Sequence, residues 1–172
     1  MSDQAVKPYQ EFVIPASLVT KADISRLVNE VERIDNELTT AAVRKDVGAA
    51  EQAHPTTSEQ LADFLTQNAL SLDDERARGE LIKELRLLKE KAPVVHMTFA
   101  VTADGESLRQ LAQWLRASTH PQAVIEVGLQ PALVAGVYLR TPNHVHDLSL
   151  RALLKNGQGK LVEELETLRG RQ

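Results

Sequence analysis

Apolar residues in the N-terminal half of the chain recur every three or four positions, the spacing of one face of a helix. The longest stripe begins after Thr20, which can cap the first turn, and Asp23 stands three residues on, where negative charge favours the helix dipole. This stripe predicts a helix to about Lys45, with one narrow apolar face that needs a partner helix, either within this chain or on another protein. Its apolar members are Ile24, Leu27, Val31, Ile34, Leu38 and Ala41.

Two shorter helices are predicted before Pro93. A His-Pro-Thr-Thr run marks a break in the chain, and the second helix is expected to begin just after it, near Thr57 or Ser58. The third is expected to begin near Ser71, where Ser71 and Asp74 form a capping pair, and to end at Pro93.

The pattern changes at Val94, where short runs rich in β-formers replace the helical spacing. The predicted elements are strands at Val94–Val101, Ala123–Leu129 and Leu133–Thr141, a helix at Glu106–Ser118, and a final helix from about Leu148 that is interrupted at Gly157 and Gly159. The short link between the second and third strands predicts antiparallel neighbours, and the helix between the first and second allows a parallel pair.

The expected fold class is therefore α+β, in two parts. Residues 1–92 form a helical domain of about three helices with a loose N-terminal lead-in, and residues 93–172 form a small βαββα domain.

Composition narrows the function classes. The net charge is −4 with no dense basic run, which argues against nucleic-acid binding. There is no cysteine, so disulfides, thiolate metal sites and a cysteine nucleophile are excluded. The N-terminus lacks the features of a signal peptide, and no apolar stretch approaches the ~20 residues of a membrane span. A cytoplasmic protein without direct membrane insertion is expected.

One cluster contains the ingredients of catalysis: His144, His146, Asp147 and Ser149. A small hydrolase using His146 and Ser149 is one hypothesis, and a metal site at His144 and His146 is another, although no third ligand lies nearby in sequence. The favoured interpretation is structural, with Asp147 or Ser149 capping the following helix. We therefore expect no catalytic residue, no metal and no cofactor.

The partner-binding candidates are apolar. Trp114 stands one residue before Leu115 on the predicted helix and is either partly buried or part of a docking surface. Near the C-terminus, Leu161, Leu165 and Leu168 fall on one side of a helix and are further candidates. The GQGK sequence at 157–160 lacks the spacing of a phosphate-binding loop.

The segment Leu133–Leu154 (LVAGVYLRTPNHVHDLSLRALL) resembles the closing segment of the delta subunit of F-type ATP synthases, called the oligomycin-sensitivity-conferring protein in mitochondria. The family's signature is a glycine-containing apolar strand, a turn, and an Asp-x-Ser-hydrophobic-Arg helix start. This chain carries it in Gly136, Asp147, Ser149 and Arg151. The expected role of Gly136 is to permit close backbone approach in a strand. The resemblance extends over about residues 93–168, whereas the family's N-terminal six-helix bundle has no recognisable counterpart here.

The resemblance implies a non-catalytic subunit of the peripheral stalk, which holds the catalytic head to the membrane-anchored stalk helices. The implied partners are a b-type stalk subunit and the alpha subunits of the head. The implied location is the inner face of the cell membrane, reached through the complex. The alternatives are related stators: the E-type subunit of vacuolar and archaeal ATPases, or the flagellar export ATPase regulator. The Pro- and Gly-broken N-terminal half argues against the long continuous helix of both.

Overall fold

The apolar stripes of the N-terminal half form helices. A computed structural model describes residues 6–46, 55–141, 144–155, 157 and 159 of the chain. The first three α-helices are α1 (Lys21–Asp46), α2 (Glu59–Asn68) and α3 (Glu75–Lys91). On α1 the inner face is Ile24, Leu27, Val28, Val31 and Ile34, all buried. The expected partner helix is α3, which packs along α1 and buries Leu81, Leu85 and Leu88.

The starts of these helices are fixed by side chains that satisfy free backbone amides. Asp23 N–H donates to Thr20 Oγ1 (3.2 Å) and Thr20 N–H donates to Asp23 Oδ2 (2.7 Å), a reciprocal cap. Ser58 caps α2, so the helix begins at Glu59, close to the expected start near Thr57 or Ser58. The start of α3 was expected three residues too early: Asp74 is the cap, and the Ser71 hydroxyl donates to Asp73 instead.

The C-terminal half contains a sheet and one further long helix. The elements are β1 (Val94–Phe99), α4 (Gly105–Ser118), β2 (Val124–Leu129), β3 (Gly136–Arg140) and β4 (Val145–Ser149). Together with the N-terminal helices, they confirm the α+β class. Among the described residues, no helix has both the length and the apolarity needed to cross a membrane.

The strand order is β2-β1-β3-β4, and this corrects the expected pairing. β1 lies beside β2 in the same direction, because Val124 N–H donates to Pro93 O at one end and Gln130 N–H to Phe99 O at the other. β3 does not pair with β2. It runs antiparallel to β1, with Met97 opposite Leu139. Between β2 and β3, a 3₁₀ turn at Pro131–Leu133 replaces the tight hairpin turn that adjacent pairing would need.

β4 is the second correction. At most a brief strand pairing was expected at Val145, with a helix from about Leu148, but the strand continues to Ser149. β4 pairs antiparallel with β3, with Tyr138 opposite Asp147. The helix begins only at residue 150, so the C-terminal pattern is βαβββ followed by a helix rather than βαββα. Gly157 and Gly159 were expected to interrupt this helix, and both are in helical conformation.

The chain divides into two compact units. The helical unit comprises the described residues of Met1–Pro93 together with Leu108–Val124, and the sheet unit those of Val94–Ser107 and Ile125–Gln172. The expected domain boundary near residue 92 is close to the point where the chain first passes from the helical unit to the sheet unit, between Pro93 and Val94. Most of α4, however, belongs to the helical unit. The physical reason is Arg116, whose guanidinium donates to Pro15 O (3.0 Å) and to Leu18 O.

Candidate partner-docking surface

The turn before β3 holds a β-branched residue in a strained backbone conformation. Val134 has φ 64° and ψ −53°, and Ala135 N–H donates across it to Leu133 O (2.7 Å). This is a γ-turn with positive φ at its centre, a rare conformation for any residue and a clear outlier for valine. The side chain of Val134 is nevertheless 75% exposed. The turn therefore exposes an apolar side chain to solvent, although its backbone conformation is unfavourable for valine.

Two residues later, Gly136 allows β3 and β4 to approach each other closely. Its φ is +94°, and a Cβ at this position would lie 2.8 Å from Ser149 Cα and closer still to Leu148 O. Both contacts are with backbone, which cannot swing aside as a side chain could. The sequence-based expectation that Gly136 permits close backbone approach is therefore confirmed.

Ser149 links this strand pair to the helix that follows. It is buried at the end of β4, and its hydroxyl accepts from Ala152 N–H (3.2 Å), as an N-cap does. Asp147 plays a different part from the expected cap. It lies within β4, and its carboxylate accepts from Ser149 N–H (3.0 Å).

The charge of Asp147 is stabilised locally. Hydrogen bonds from the side chain and backbone of Ser149 lower the pKa of Asp147, and the nearby charge of Arg151 lowers it further. Arg151 itself is exposed in the first turn of the helix. The four signature residues thus form one structural junction between β3, β4 and the helix start.

An exposed apolar stripe follows this junction. Leu150, Leu153 and Leu154 stand at i, i+3 and i+4, one face of the helix at residues 150–155, and their exposed fractions are 41%, 62% and 66%. Leu150 N–H donates to Ala135 O (3.0 Å), which places the γ-turn of Val134 beside the start of the stripe. We call Val134, Leu150, Leu153 and Leu154 the leucine surface.

The leucine surface has a mainly basic border on its own helix. Arg151 and Lys155 are both exposed between and after the leucines, while Asp147 lies at the other end of the junction. Clustered exposed apolar side chains with a charged border are typical of protein-docking sites. A partner with an apolar stripe and acidic flanks would match this surface.

The His/Asp/Ser cluster does not have the geometry of a catalytic triad. Side chains alternate between the faces of a strand, so His146 and Ser149 point to opposite faces of β4. Ser149 is also buried, and its hydroxyl is engaged by Ala152 N–H. A base must lie within hydrogen-bond reach of its nucleophile, and His146 is not placed to reach Ser149.

The side chains of His144 and His146 are both exposed and lie near each other. The ring centroids of His144 and His146 are 6.2 Å apart. Within the described residues, no group of three or more His, Cys, Asp or Glu side chains is placed to hold a metal ion.

The structure describes only one of the remaining candidates for partner binding, Trp114. Trp114 is 60% exposed on α4, and its role in partner binding stays a prediction. Leu161, Leu165 and Leu168 lie outside the described residues.

Sequence reasoning missed the polar residues that hold the N-terminal segment. Asn68 and Gln122 are buried and bind backbone atoms of residues 9–13, and Arg116 does the same for residues 14–18. Their partners are 55 to 113 positions away in the chain, so no local pattern indicates them. Burial lowers the pKa of the Arg116 guanidinium, which retains its charge at neutral pH because the ordinary arginine pKa is so high.

Comparison with known proteins identifies no family. No family model matches the chain, and no curated protein is significantly similar to it.

Proposed function

We propose that this protein is a non-catalytic connector of the delta type, a peripheral-stalk subunit of a proton-translocating ATP synthase. In this role the sheet unit binds a membrane-anchored stalk helix of the b type and so resists the torque of the rotor. The single observation that carries the proposal is the leucine surface, because it lies on the segment that resembles the delta family.

The junction and the leucine surface are suited to a static load. Gly136 lets the backbones of β3 and β4 pack closely, and the Ser149 hydroxyl fixes the helix start by accepting from Ala152 N–H. Backbone packing of this kind holds a surface in one geometry, which a connector under torque needs. The strain at Val134 supports the same role, since residues kept in unfavourable conformations concentrate at binding and functional sites.

The chemistry of the surface specifies the partner. An amphipathic helix would place its apolar residues against Leu150, Leu153 and Leu154, as in helix-in-groove recognition. Acidic residues on its flanks would face Arg151 and Lys155 and would improve orientation and association rate more than affinity.

The test is affinity purification of the tagged full-length chain from cells that make it, with membranes solubilised in mild detergent. Leu153→Glu places a charge in the leucine surface. Val43→Glu is the matched control, because Val43 is exposed to the same degree (60% against 62%) but lies on α1 in the helical unit. Both positions are exposed, so each substitution should change the free energy of unfolding by less than about 0.5 kcal/mol.

The expected result is co-purification of ATP synthase subunits with the wild-type chain and Val43→Glu, and their loss with Leu153→Glu. Recovery of a vacuolar-type or flagellar export ATPase instead would reassign the connector to one of the related stators. Absence of every rotary or export ATPase subunit from the wild-type sample would refute the proposal.

A further inference from the structure

The N-terminal segment Tyr9–Leu18, here called the strap, crosses the helical unit without joining a helix or a strand beyond a short 3₁₀ turn. Its main chain is bound by side chains of the helical unit instead of by a β-ladder. The side chains that bind it are Gln60, Asn68, Glu84, Arg116 and Gln122. The strap therefore lies in a groove whose polar groups are directed at a peptide backbone.

Asn68 provides the clearest case. Its amide oxygen accepts from Val13 N–H (2.8 Å), and its amide nitrogen donates to Val13 O (3.0 Å). One side chain thereby satisfies both backbone groups of one residue, as a neighbouring strand would. Such a contact recognises an extended backbone irrespective of the side chain, and the Val13 side chain is indeed 54% exposed.

Gln122 and Arg116 continue the pattern on either side. The Gln122 amide donates to Tyr9 O (2.6 Å) and Phe12 O (2.9 Å). Arg116 donates to Pro15 O and Leu18 O from one end of its guanidinium, and to Ala123 O from Nε (3.1 Å). Each of these two donors spans a turn of the strap: Gln122 the 3₁₀ turn at Tyr9–Glu11, and Arg116 the turn that Leu18 N–H closes on Pro15 O (3.1 Å). The residues between the two turns, which include Val13, are therefore fixed at both ends.

Selectivity in this groove comes from buried side chains. The Phe12 ring packs edge-on against Phe64, with centroids 5.3 Å apart and an interplanar angle of 82°. Ile14 and Pro15 are also buried, whereas Val13 between them faces solvent. The occupant that fits is an extended peptide with the pattern aromatic, any residue, β-branched residue, proline.

We propose that the helical unit contains a binding groove for extended peptides of this pattern and that the strap is its intramolecular occupant. A cavity of about 610 Å³ opens between the strap and the end of α4, bordered by Val13, Gln113 and His120. Release of the strap breaks side-chain contacts but no helix or β-ladder bond, so it can occur as a local opening. The strap of a second copy of this chain, which has the same pattern, then binds in its place.

The test supplies the strap in trans to the full-length chain. The probe is a fluorescent peptide with the sequence of residues 7–19 (KPYQEFVIPASLV), and binding is measured by fluorescence anisotropy. The tethered strap competes at an effective concentration in the millimolar range, so the wild-type chain should bind the probe weakly. Phe12→Ala removes the aromatic anchor of the tethered strap and should bind the probe at least about tenfold more tightly than wild type.

Two controls separate specific exchange from general loosening. Val13→Ala alters the adjacent, exposed residue and should bind the probe as weakly as wild type. A probe that carries the Phe12→Ala substitution should bind the Phe12→Ala chain at least about tenfold more weakly than the wild-type probe. Ile14→Ala is measured in parallel as a milder change, and circular dichroism establishes which variants are folded.

Tight binding of the wild-type probe to folded Phe12→Ala or Ile14→Ala, with both controls as expected, supports the groove. The proposal is overturned if folded Phe12→Ala and Ile14→Ala bind the probe no better than wild type does. Equal binding of both probes would overturn it as well, since the anchor would then have no role.

Discussion

Substitution of Gly136 by alanine should destabilise the junction strongly, although it adds a single methyl group. The φ of +94° is unfavourable for any L-residue, at a cost of about 1–3 kcal/mol. The new Cβ would also lie 2.8 Å from Ser149 Cα and in contact with Leu148 O, so β4 must move. Movement weakens one or two backbone hydrogen bonds between β3 and β4, at about 1 kcal/mol each. The expected loss in free energy of unfolding is therefore about 2–5 kcal/mol.

Gly79→Ala is the matched control, because it makes the same chemical change elsewhere in the chain. Gly79 lies inside α3, and a Cβ there would meet nothing within 4 Å. Alanine is the better helix former by about 0.5–1 kcal/mol, so this variant should be slightly more stable than wild type.

Urea denaturation followed by circular dichroism gives the free energies, and hydrogen exchange of the β4 amides locates the change. A chain of this length loses about 2–4 °C in Tm per kcal/mol, so Gly136→Ala should melt roughly 10 °C below wild type. If Gly136→Ala stays within about 1 kcal/mol of wild type and its β4 amides remain protected, the close-approach argument is wrong.

Three further predictions concern side chains that satisfy backbone groups. Asn68→Ala leaves the partly buried N–H and C=O of Val13 without their partner and should cost about 1–3 kcal/mol in urea denaturation, with faster hydrogen exchange at Val13; unchanged exchange would contradict it. Ser149→Ala removes a helix cap and should cost about 1 kcal/mol, and a loss beyond about 3 kcal/mol would show that its role is larger than capping. Burial alone would raise the pKa of Asp23, but hydrogen bonds from Thr20 and Val19 outweigh it and lower the pKa. The contribution of Asp23 should therefore be complete above about pH 5 and lost as the pH falls below about 4, so the stability difference from Asp23→Asn should shrink between pH 7 and pH 3; a constant difference would refute this.

The helical unit could be predicted well from local pattern. The apolar stripe of α1 and the capping groups Thr20 and Ser58 act within a few residues, and the structure has them where the sequence indicates. The start of α3 was misplaced because Ser71 and Asp74 are both good caps, and local sequence does not distinguish them.

The strand order could not be predicted in the same way. A short connection usually joins neighbouring strands, yet β3 pairs with β1 because the chain passes through the 3₁₀ turn and the γ-turn at Val134. Valine is not a residue type that favours turns, so its presence at position 134 does not indicate this conformation. β4 was taken for a helix start because Asp147 and Ser149 favour caps, and only the pairing with β3 makes that segment a strand.

The candidate site likewise has some features that could be predicted from the sequence and others that could not. Gly136 and Ser149 could be assigned structural roles from residue type and neighbours, and the geometry agrees. The exposure of the leucine surface depends on what packs against it, which a sequence alone does not give. The long-range contacts of Arg116 and Gln122 were likewise invisible, since their partners are about a hundred positions away.

The central claim is that the leucine surface binds a stalk helix, and crosslinking from within that surface tests it most directly. A photo-reactive phenylalanine analogue replaces Leu154 (66% exposed) in one strain and Val43 (60% exposed) in another, and crosslinks formed in living cells are identified by mass spectrometry. The account predicts a crosslink from position 154 to a b-type stalk subunit of an ATP synthase, and none to that subunit from position 43. Crosslinks from position 154 that reach no rotary-ATPase subunit would contradict it.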